Sequence, residues 1–143
     1  MNQYQSKCYC TNLRRSAGMI TNFYDARLKQ YGISAAQYCL LDNLQRLGSA
    51  NITHWAQAVG LDRSTMIRNI RPLEKSSLIE RVDGNGKTYA LSEKGKAVLK
   101  AASAAWEKAQ REIESLLGEA DAGAILRISN RLQELRGKEA VRL

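Results

Sequence analysis

Two short helices joined by a tight turn are predicted between Ile52 and Val82, and no other segment constrains the fold as strongly. The first helix is expected from about Thr53 to Val59. Gly60 allows the sharp turn that follows, because glycine adopts positive φ without steric cost. Asp62 is a favourable N-cap for the second helix, since its carboxylate can accept amide protons of the first turn. The segment therefore predicts a helix-turn-helix.

Helical periodicity also precedes this segment. Residues 9–31 place apolar side chains at three- and four-residue spacing, and Gly32 suits the left-handed position that ends such a helix. Ser34 and Gln37 match a reciprocal capping box, which predicts a second helix that ends at Gly48. The helix-turn-helix is thus expected to follow two longer helices.

A hairpin and two further helices are predicted after the helix-turn-helix. The sequences LIERV and TYALS flank the glycine-rich run 83–87, a pattern typical of two short strands and their turn. Ser92 is expected to cap a long helix that Gly118 ends, and a last helix follows over 119–136. The fold class is therefore mainly α, a winged helix-turn-helix with one β-hairpin wing and helices on both sides.

The second helix of the motif has an unusual polar face. At 100° per residue its apolar side chains cluster on one side, and its polar side chains lie opposite. The apolar set is Met66, Ile67, Ile70 and Leu73; the polar set is Ser64, Thr65 and Arg68, with Asn69 and Arg71 at the edges. Hydroxyls reach base edges without bulk, and arginine can grip guanine with two hydrogen bonds. This face favours DNA over the alternative of an ordinary solvated helix in a bundle.

This helix and the hairpin after it add three expectations. Its first-turn amides are expected to favour a phosphate. Asn85 and Lys87 at the hairpin tip are placed to follow the DNA backbone or minor groove. Pro72 removes a helical hydrogen bond, so a kink near Arg71 or an early helix end is expected.

Charge and cysteine content indicate which binding partners and which cellular compartment to expect. The formal net charge is +8, and the excess of Lys and Arg lies in the first two-thirds of the chain. Such an excess favours nucleic-acid phosphates or an anionic membrane surface. No apolar run approaches the roughly 20 residues that span a bilayer, and the N-terminus lacks an apolar signal core. Three cysteines are too few for a disulfide-stapled secreted fold, so a cytoplasmic protein with reduced thiols and no membrane partner is expected.

The segment GLDRSTMIRNIRPLEKSSLIERVDGNGKTYALSEKG resembles the winged helix-turn-helix of MarR-type bacterial transcriptional regulators. The matching residues are Leu61, Asp62, Ser64, Thr65, Arg68, Leu73, Glu74, Leu78, Ile79, Glu80, Arg81, Leu91, Ser92 and Gly95. The resemblance implies a homodimer with intertwined terminal helices, which binds a pseudo-palindromic double-stranded DNA operator as a regulator, most simply a repressor. The DNA-binding set is then Arg63, Ser64, Thr65, Arg68, Asn69, Arg71, Asn85 and Lys87. Wings of this family usually contain Asp-Arg-Arg, whereas the tip here offers only Lys87 as a cation.

The terminal helices are expected to form the dimer. Their apolar stripes exceed what a winged domain of about 60 residues needs, and exposed stripes of that size are rare in monomers. We predict one domain over 1–143, with 1–33 and 97–143 for dimerisation and 34–96 for DNA binding. The alternative is a monomer whose terminal helices fold back on the DNA-binding region.

Two modes of control are compatible with the sequence. Cys10, with Cys8 as its neighbour, resembles the peroxide-sensing cysteine of the OhrR branch; Tyr24 matches one tyrosine of that site, but Arg14 and Ala35 occupy the other two tyrosine positions. Arg14 would favour the Cys10 thiolate if the two groups lie close together. The alternative is that the cysteines pack at an interface. A small aromatic or anionic effector is the second mode, with a candidate site formed by Arg14, Tyr24, Tyr38 and Trp55, although aromatic residues at helical spacing often belong to a core.

Enzymatic chemistry is not expected. His54 is the single histidine and lies in the helix-turn-helix, which leaves no separate Ser–His or Cys–His pair and no zinc ligand set. No phosphate-binding glycine motif is present, so no cofactor is predicted. Two alternatives to an operator-binding regulator stay open: a peroxidase-like thiol protein, and a winged-helix module for architecture or protein contacts.

Overall fold

Six α-helices and three short strands follow one another along residues 6–139, the part of the chain that the computed structural model describes. Tyr9–Leu28 forms α1, which continues as a 3-10 turn over Lys29–Tyr31. The remaining elements are α2 (Ala35–Leu47), β1 (Ala50–Asn51), α3 (Ile52–Val59), α4 (Arg63–Lys75), β2 (Ile79–Arg81), β3 (Thr88–Leu91), α5 (Glu93–Leu117) and α6 (Glu119–Leu132), with a final 3-10 turn over Gln133–Leu135. The mainly α winged-helix prediction is confirmed.

The predicted helix ends lie at residues whose chemistry explains them. Gly32 and Gly60 adopt left-handed φ values of 74° and 75° directly after their helices. The capping box at α2 is complete: the Gln37 amide donates to Ser34 Oγ at 3.1 Å, and the Ser34 amide donates to Gln37 Oε1 at 2.9 Å. These local signals fix where the chain turns, and so which helix faces can meet.

A compact unit extends through Trp106, and its core surrounds α3. Trp55 is fully buried there, and its indole Nε1 donates to the Leu40 carbonyl at 3.1 Å. Other fully buried side chains come from α1, α2 and α4: Leu28, Leu41, Leu44, Met66 and Leu73. Since the apolar side of α4 is held in this core, its polar side faces outward.

The three strands form one antiparallel sheet in the order β1–β3–β2. Tyr89 of β3 is paired with Ala50 on one side and with Arg81 on the other. The prediction of a single hairpin thus missed β1, because a strand of two residues is too short to show alternation. This added strand ties the wing to the start of α3.

Pro72 does not end α4. The helix continues to Lys75, so the expected early end is wrong. Leu73, after the proline, is fully buried, and its carbonyl accepts a hydrogen bond of 2.9 Å from the Leu78 amide. Core packing on both sides of the proline offsets the loss of one helical hydrogen bond.

A second unit begins at Glu107, within α5, and contains α6. Several of its apolar side chains are exposed: Leu116, Ile125, Leu126, Ile128, Leu132 and Leu135. Within residues 6–139 no helix is both long enough and apolar enough to cross a membrane.

Candidate nucleic-acid interface

The α4 helix presents its polar face to solvent. Met66 and Ile70 on the opposite side are buried, whereas Ser64 and Arg68 are exposed and Thr65 is half-buried. Of the other predicted DNA-binding residues on this helix, Arg63 and Arg71 are exposed and Asn69 is half-buried. The side-chain distribution on the helix is therefore the one that its periodicity predicts.

Asp62 organises the first turn of α4. Its Oδ1 accepts from the Thr65 amide and from Ser64 Oγ, both at 2.8 Å, and its Oδ2 accepts from Thr65 Oγ1 at 3.0 Å. The Thr65 amide, followed by the Ser64 and Thr65 hydroxyls, lowers the pKa of the Asp62 carboxyl. The helix N-terminus is thus occupied by the chain's own anion. This placement disfavours the phosphate that the sequence predicted there, since two anions would meet.

Arg68 and Asn69 are both linked to Thr65. Arg68 Nη2 donates to Thr65 Oγ1 at 3.3 Å, and Asn69 Nδ2 donates to the Thr65 carbonyl at 3.0 Å. The Arg68 guanidinium has five donors, so most of them stay available to a base edge or a phosphate.

The wing is shaped by Asp83. Its Oδ1 accepts from the amides of Lys87 at 2.8 Å and Thr88 at 3.1 Å, and its Oδ2 accepts from Thr88 Oγ1 at 2.9 Å. These bonds lower the pKa of the Asp83 carboxyl, the Thr88 amide contributing most. Asn85 and Lys87 are exposed on the resulting tip. The predicted wing residues therefore extend from a turn with a defined conformation.

Arg81 is a wing residue that the sequence-based prediction missed. Its Nη2 donates to Glu74 of α4 at 3.2 Å, its Nη1 donates to the Gly86 carbonyl at 3.0 Å, and its guanidinium lies 5.3 Å from the Tyr89 ring centre. The hydrogen bond to Glu74 raises the pKa of Arg81. No local pattern links residues seven positions apart across a helix end, so only the fold reveals this bridge between α4 and the wing.

A groove of about 610 Å³ lies between the start of α3 and the wing. Its lining includes three cations, Arg63, Arg81 and Lys87, together with Asp83. Arg63 Nη1 donates to Thr53 Oγ1 at 3.1 Å, which directs the guanidinium toward α3. The fold thus brings Arg63 and Lys87, which are far apart in sequence, into one cationic groove. Arg71 does not line it.

The predicted effector residues do not form one cluster. Tyr24 and Tyr38 both stack on Trp106, with ring centres 6.5 and 5.6 Å apart. Trp55 lies instead in the winged-helix core, 6.2 Å from the Tyr89 ring, and Arg14 is exposed on α1. Trp106 was missed because nothing in the sequence shows which distant aromatic residues meet.

The cysteines lie near the start of α1 and on α2. Cys8 is the N-cap of α1 and Cys10 lies in its first turn, both exposed. Hydrogen bonds from Thr11 lower the pKa of the Cys8 thiol, whereas burial raises the pKa of the Cys39 thiol. Within residues 6–139 no group of three His, Cys, Asp or Glu side chains is arranged to hold a metal ion.

An outward helix face of hydroxyls and arginine lies beside a cationic groove and a wing, which is the layout of a winged helix-turn-helix. Residues 33–86 match the MarR family model. No curated protein sequence matches the chain.

Solved structures show the same fold. The Mycobacterium tuberculosis transcriptional regulator MosR, in complex with DNA, has a TM-score of 0.79 and 22% identity, over 91% of this chain and 99% of MosR. Bordetella bronchiseptica BpsR has a TM-score of 0.78 and 19% identity, over 92% of this chain and 99% of BpsR. The transcriptional repressor CouR, bound to a 23-mer DNA duplex, has a TM-score of 0.79 and 20% identity, over 92% of this chain and 99% of CouR.

Proposed function

We propose that this protein is a cytoplasmic, sequence-specific repressor that binds a pseudo-palindromic operator as a homodimer. The observation that supports this most is the outward face of α4 beside the groove with Arg63 and Lys87. A major groove admits one helix, and a wing beside that helix can contact the adjacent backbone. MosR and CouR, which share this fold, were both solved with DNA.

The residues divide into two roles. Ser64, Thr65 and Arg68, with Asn69 at their edge, contact bases, because they lie on the outward side of the helix. The remaining set contacts the phosphate backbone: Arg63, Arg71, Asn85 and Lys87. Base contacts determine which sequence is bound, and phosphate contacts set the register and supply affinity that depends on salt.

The homodimer is proposed from exposed apolar surface at both ends of the chain. On α1, Tyr9 is 84% exposed and Met19 is 63% exposed; on α6, Leu126 is 67% exposed. A partner chain that covers these faces removes apolar surface from water, worth about 25 cal/mol per Å². We therefore assign 1–33 and 97–143 to dimerisation and 34–96 to DNA binding. A dimer then has two DNA-binding regions, one for each half-site of the operator.

Paired substitutions test the two roles. Arg68→Ala is expected to cost about 1–3 kcal/mol on the operator and to relax base preference at one position. Lys87→Ala should weaken binding to operator and random DNA by similar factors and flatten the salt dependence. Operators are first selected from random duplexes, and each variant is then titrated on selected and scrambled DNA at several salt concentrations. Lys108→Ala, an exposed lysine on the second unit, serves as the control for charge loss.

Two results would contradict the proposal. A wild-type protein that enriches no sequence, or that prefers its best site by much less than about 10³-fold, is an architectural module rather than a regulator. Equal losses on specific and random DNA after Arg68→Ala would remove this residue from base recognition.

Control by a small aromatic or anionic effector is part of the proposal. CouR was solved with p-coumaroyl-CoA, and DNA binding by BpsR is regulated by 6-hydroxynicotinic acid. In this chain the half-buried Tyr24 and Trp106 rings, which stack on each other, are the aromatic surface for such a molecule, with Arg14 as a candidate cation. Tyr38 also stacks on Trp106 but is buried in the core, so it can only support that surface. Trp55 is left out because it is fully buried with its N–H bonded. The alternative is release of DNA by oxidation at Cys10 or Cys8, both of which are exposed.

A further inference from the structure

The hydroxyls on the DNA-facing side of α4 have a fixed hydrogen-bonding polarity. A serine or threonine hydroxyl has one proton to donate and two lone pairs to accept with. Ser64 Oγ lies 2.8 Å from Asp62 Oδ1, and Thr65 Oγ1 lies 3.0 Å from Asp62 Oδ2. An ionised carboxylate only accepts, so both hydroxyl protons point at Asp62. On the solvent side of the helix, the Ser64 and Thr65 hydroxyl oxygens can therefore only accept hydrogen bonds.

Oxygens that only accept discriminate between base edges. In the major groove adenine N6 and cytosine N4 are amino donors, whereas guanine O6 and thymine O4 are acceptors. A phosphate is likewise an acceptor. The Ser64 and Thr65 hydroxyls therefore pair with amino groups, and they offer no donor to a guanine edge, a thymine edge or a phosphate.

Arg68 extends this arrangement with the opposite polarity. Its Nη2 donates to Thr65 Oγ1 at 3.3 Å, so the threonine oxygen links the carboxylate to the guanidinium. The guanidinium offers only donors, and its preferred base is guanine, through O6 and N7. The hydroxyl acceptors at the helix start thus require a donor on the base, and the Arg68 donors one turn later require an acceptor on the next base.

We propose that Asp62 is a specificity-determining positioning residue, which makes the first turn of α4 select an amino-bearing base, adenine or cytosine, next to the guanine that Arg68 contacts. The inference rests on the proposed operator binding. Asp62 itself touches no base; it acts by orienting the Ser64 and Thr65 hydroxyls. Its negative charge also disfavours a phosphate at the first-turn amides, which leaves the Ser64 and Thr65 hydroxyls for base contacts.

Asp62→Asn is the decisive variant. Asparagine is as good an N-cap as aspartate, so the helix start is retained. Its amide nitrogen, however, donates where Asp62 Oδ2 accepts, so the proton of the Thr65 hydroxyl is released to point outward. The expected result is that preference at one operator position shifts from an amino-bearing base to guanine or thymine, by a factor on the order of ten. Affinity for random DNA should stay equal or rise, because one negative charge is lost.

Two further variants distinguish the orientation of the Thr65 hydroxyl from its mere presence. Thr65→Val removes the hydroxyl at nearly constant volume, and it should abolish the preference at that position without inverting it. Thr65→Ser retains the hydroxyl and should retain the preference. All variants are compared by selection from random duplexes and by titration on operators that differ at the one position, with thermal unfolding as the check on folding.

The outcomes distinguish this inference from the proposed function. If wild-type protein selects an operator but Asp62→Asn ranks the four bases at every position as wild type does, Asp62 has no role in specificity. A uniform loss on all DNA together with a lower melting temperature would show a structural cap only. If wild-type protein selects no operator, the proposed function itself fails.

Discussion

At the scale of single residues, two aspartates have parallel tasks. Asp62 and Asp83 each hold a backbone amide and a threonine hydroxyl, one at the start of α4 and the other in the wing turn. The sequence predicted Asp62 as an N-cap because capping needs only neighbouring residues. It did not predict the direction of the hydroxyl protons, since that depends on side-chain rotamers around a complete turn.

The lowered pKa of the Asp83 carboxyl leads to a pH prediction. A group whose pKa is lower in the folded state stabilises that state above its unfolded pKa, and this contribution is lost as pH falls through the folded pKa. For Asp83 the loss is expected below about pH 4. The melting temperature of Asp83→Asn should therefore fall less steeply below that pH than the wild-type value, and it should lie below wild type near neutral pH. Parallel curves for both proteins would contradict the prediction.

At the scale of elements, local signals located the helices, and long-range contacts determined the rest. The capping box at Ser34 and the left-handed Gly60 depend on neighbours in sequence, so both were predictable. The β1 strand, the Arg81 bridge to Glu74 and the stacking on Trp106 join distant segments, and no periodicity reports them. For the candidate site, the residues on one helix face were found, but not the bonds that orient them.

The junction between the wing and α5 offers a steric prediction. A Cβ on Gly95 would overlap the backbone carbonyl of Leu78, which accepts the Ser92 amide at 3.1 Å and cannot move freely. Gly95→Ala is therefore expected to lower the free energy of unfolding by about 1–3 kcal/mol, the usual cost of overpacking. Denaturant titration measures this loss. Gly84→Ala is the matched control, because nothing lies within 4 Å of its added Cβ, and it should change stability little.

At the scale of the whole molecule, charge and apolar surface occupy different parts of the chain. The cations of the candidate interface lie in the unit that ends at Trp106, whereas the unit from Glu107 exposes much of the apolar area. The exposed apolar area favours self-association, since large exposed apolar surfaces are normally covered by a partner. The proposed operator recognition and the proposed self-association are thus expected to be separable by substitution.

The α6 helix provides the test of that separation. Ile128 and Leu132 are 51% and 41% exposed and share one side of the helix, so Ile128→Glu combined with Leu132→Glu places two charges where a partner chain would pack. We expect light scattering to show a monomer for this variant and a dimer for wild type.

Asn130→Glu is the matched control, because it adds a charge about half a turn away, on the polar side of the same helix, and it should stay dimeric. The monomeric variant should retain salt-dependent binding to random DNA but lose its preference for the full operator over a single half-site. That preference requires two DNA-binding regions held at a fixed spacing. A wild-type protein that scatters as a monomer at every concentration would contradict the dimer, and with it the palindromic operator.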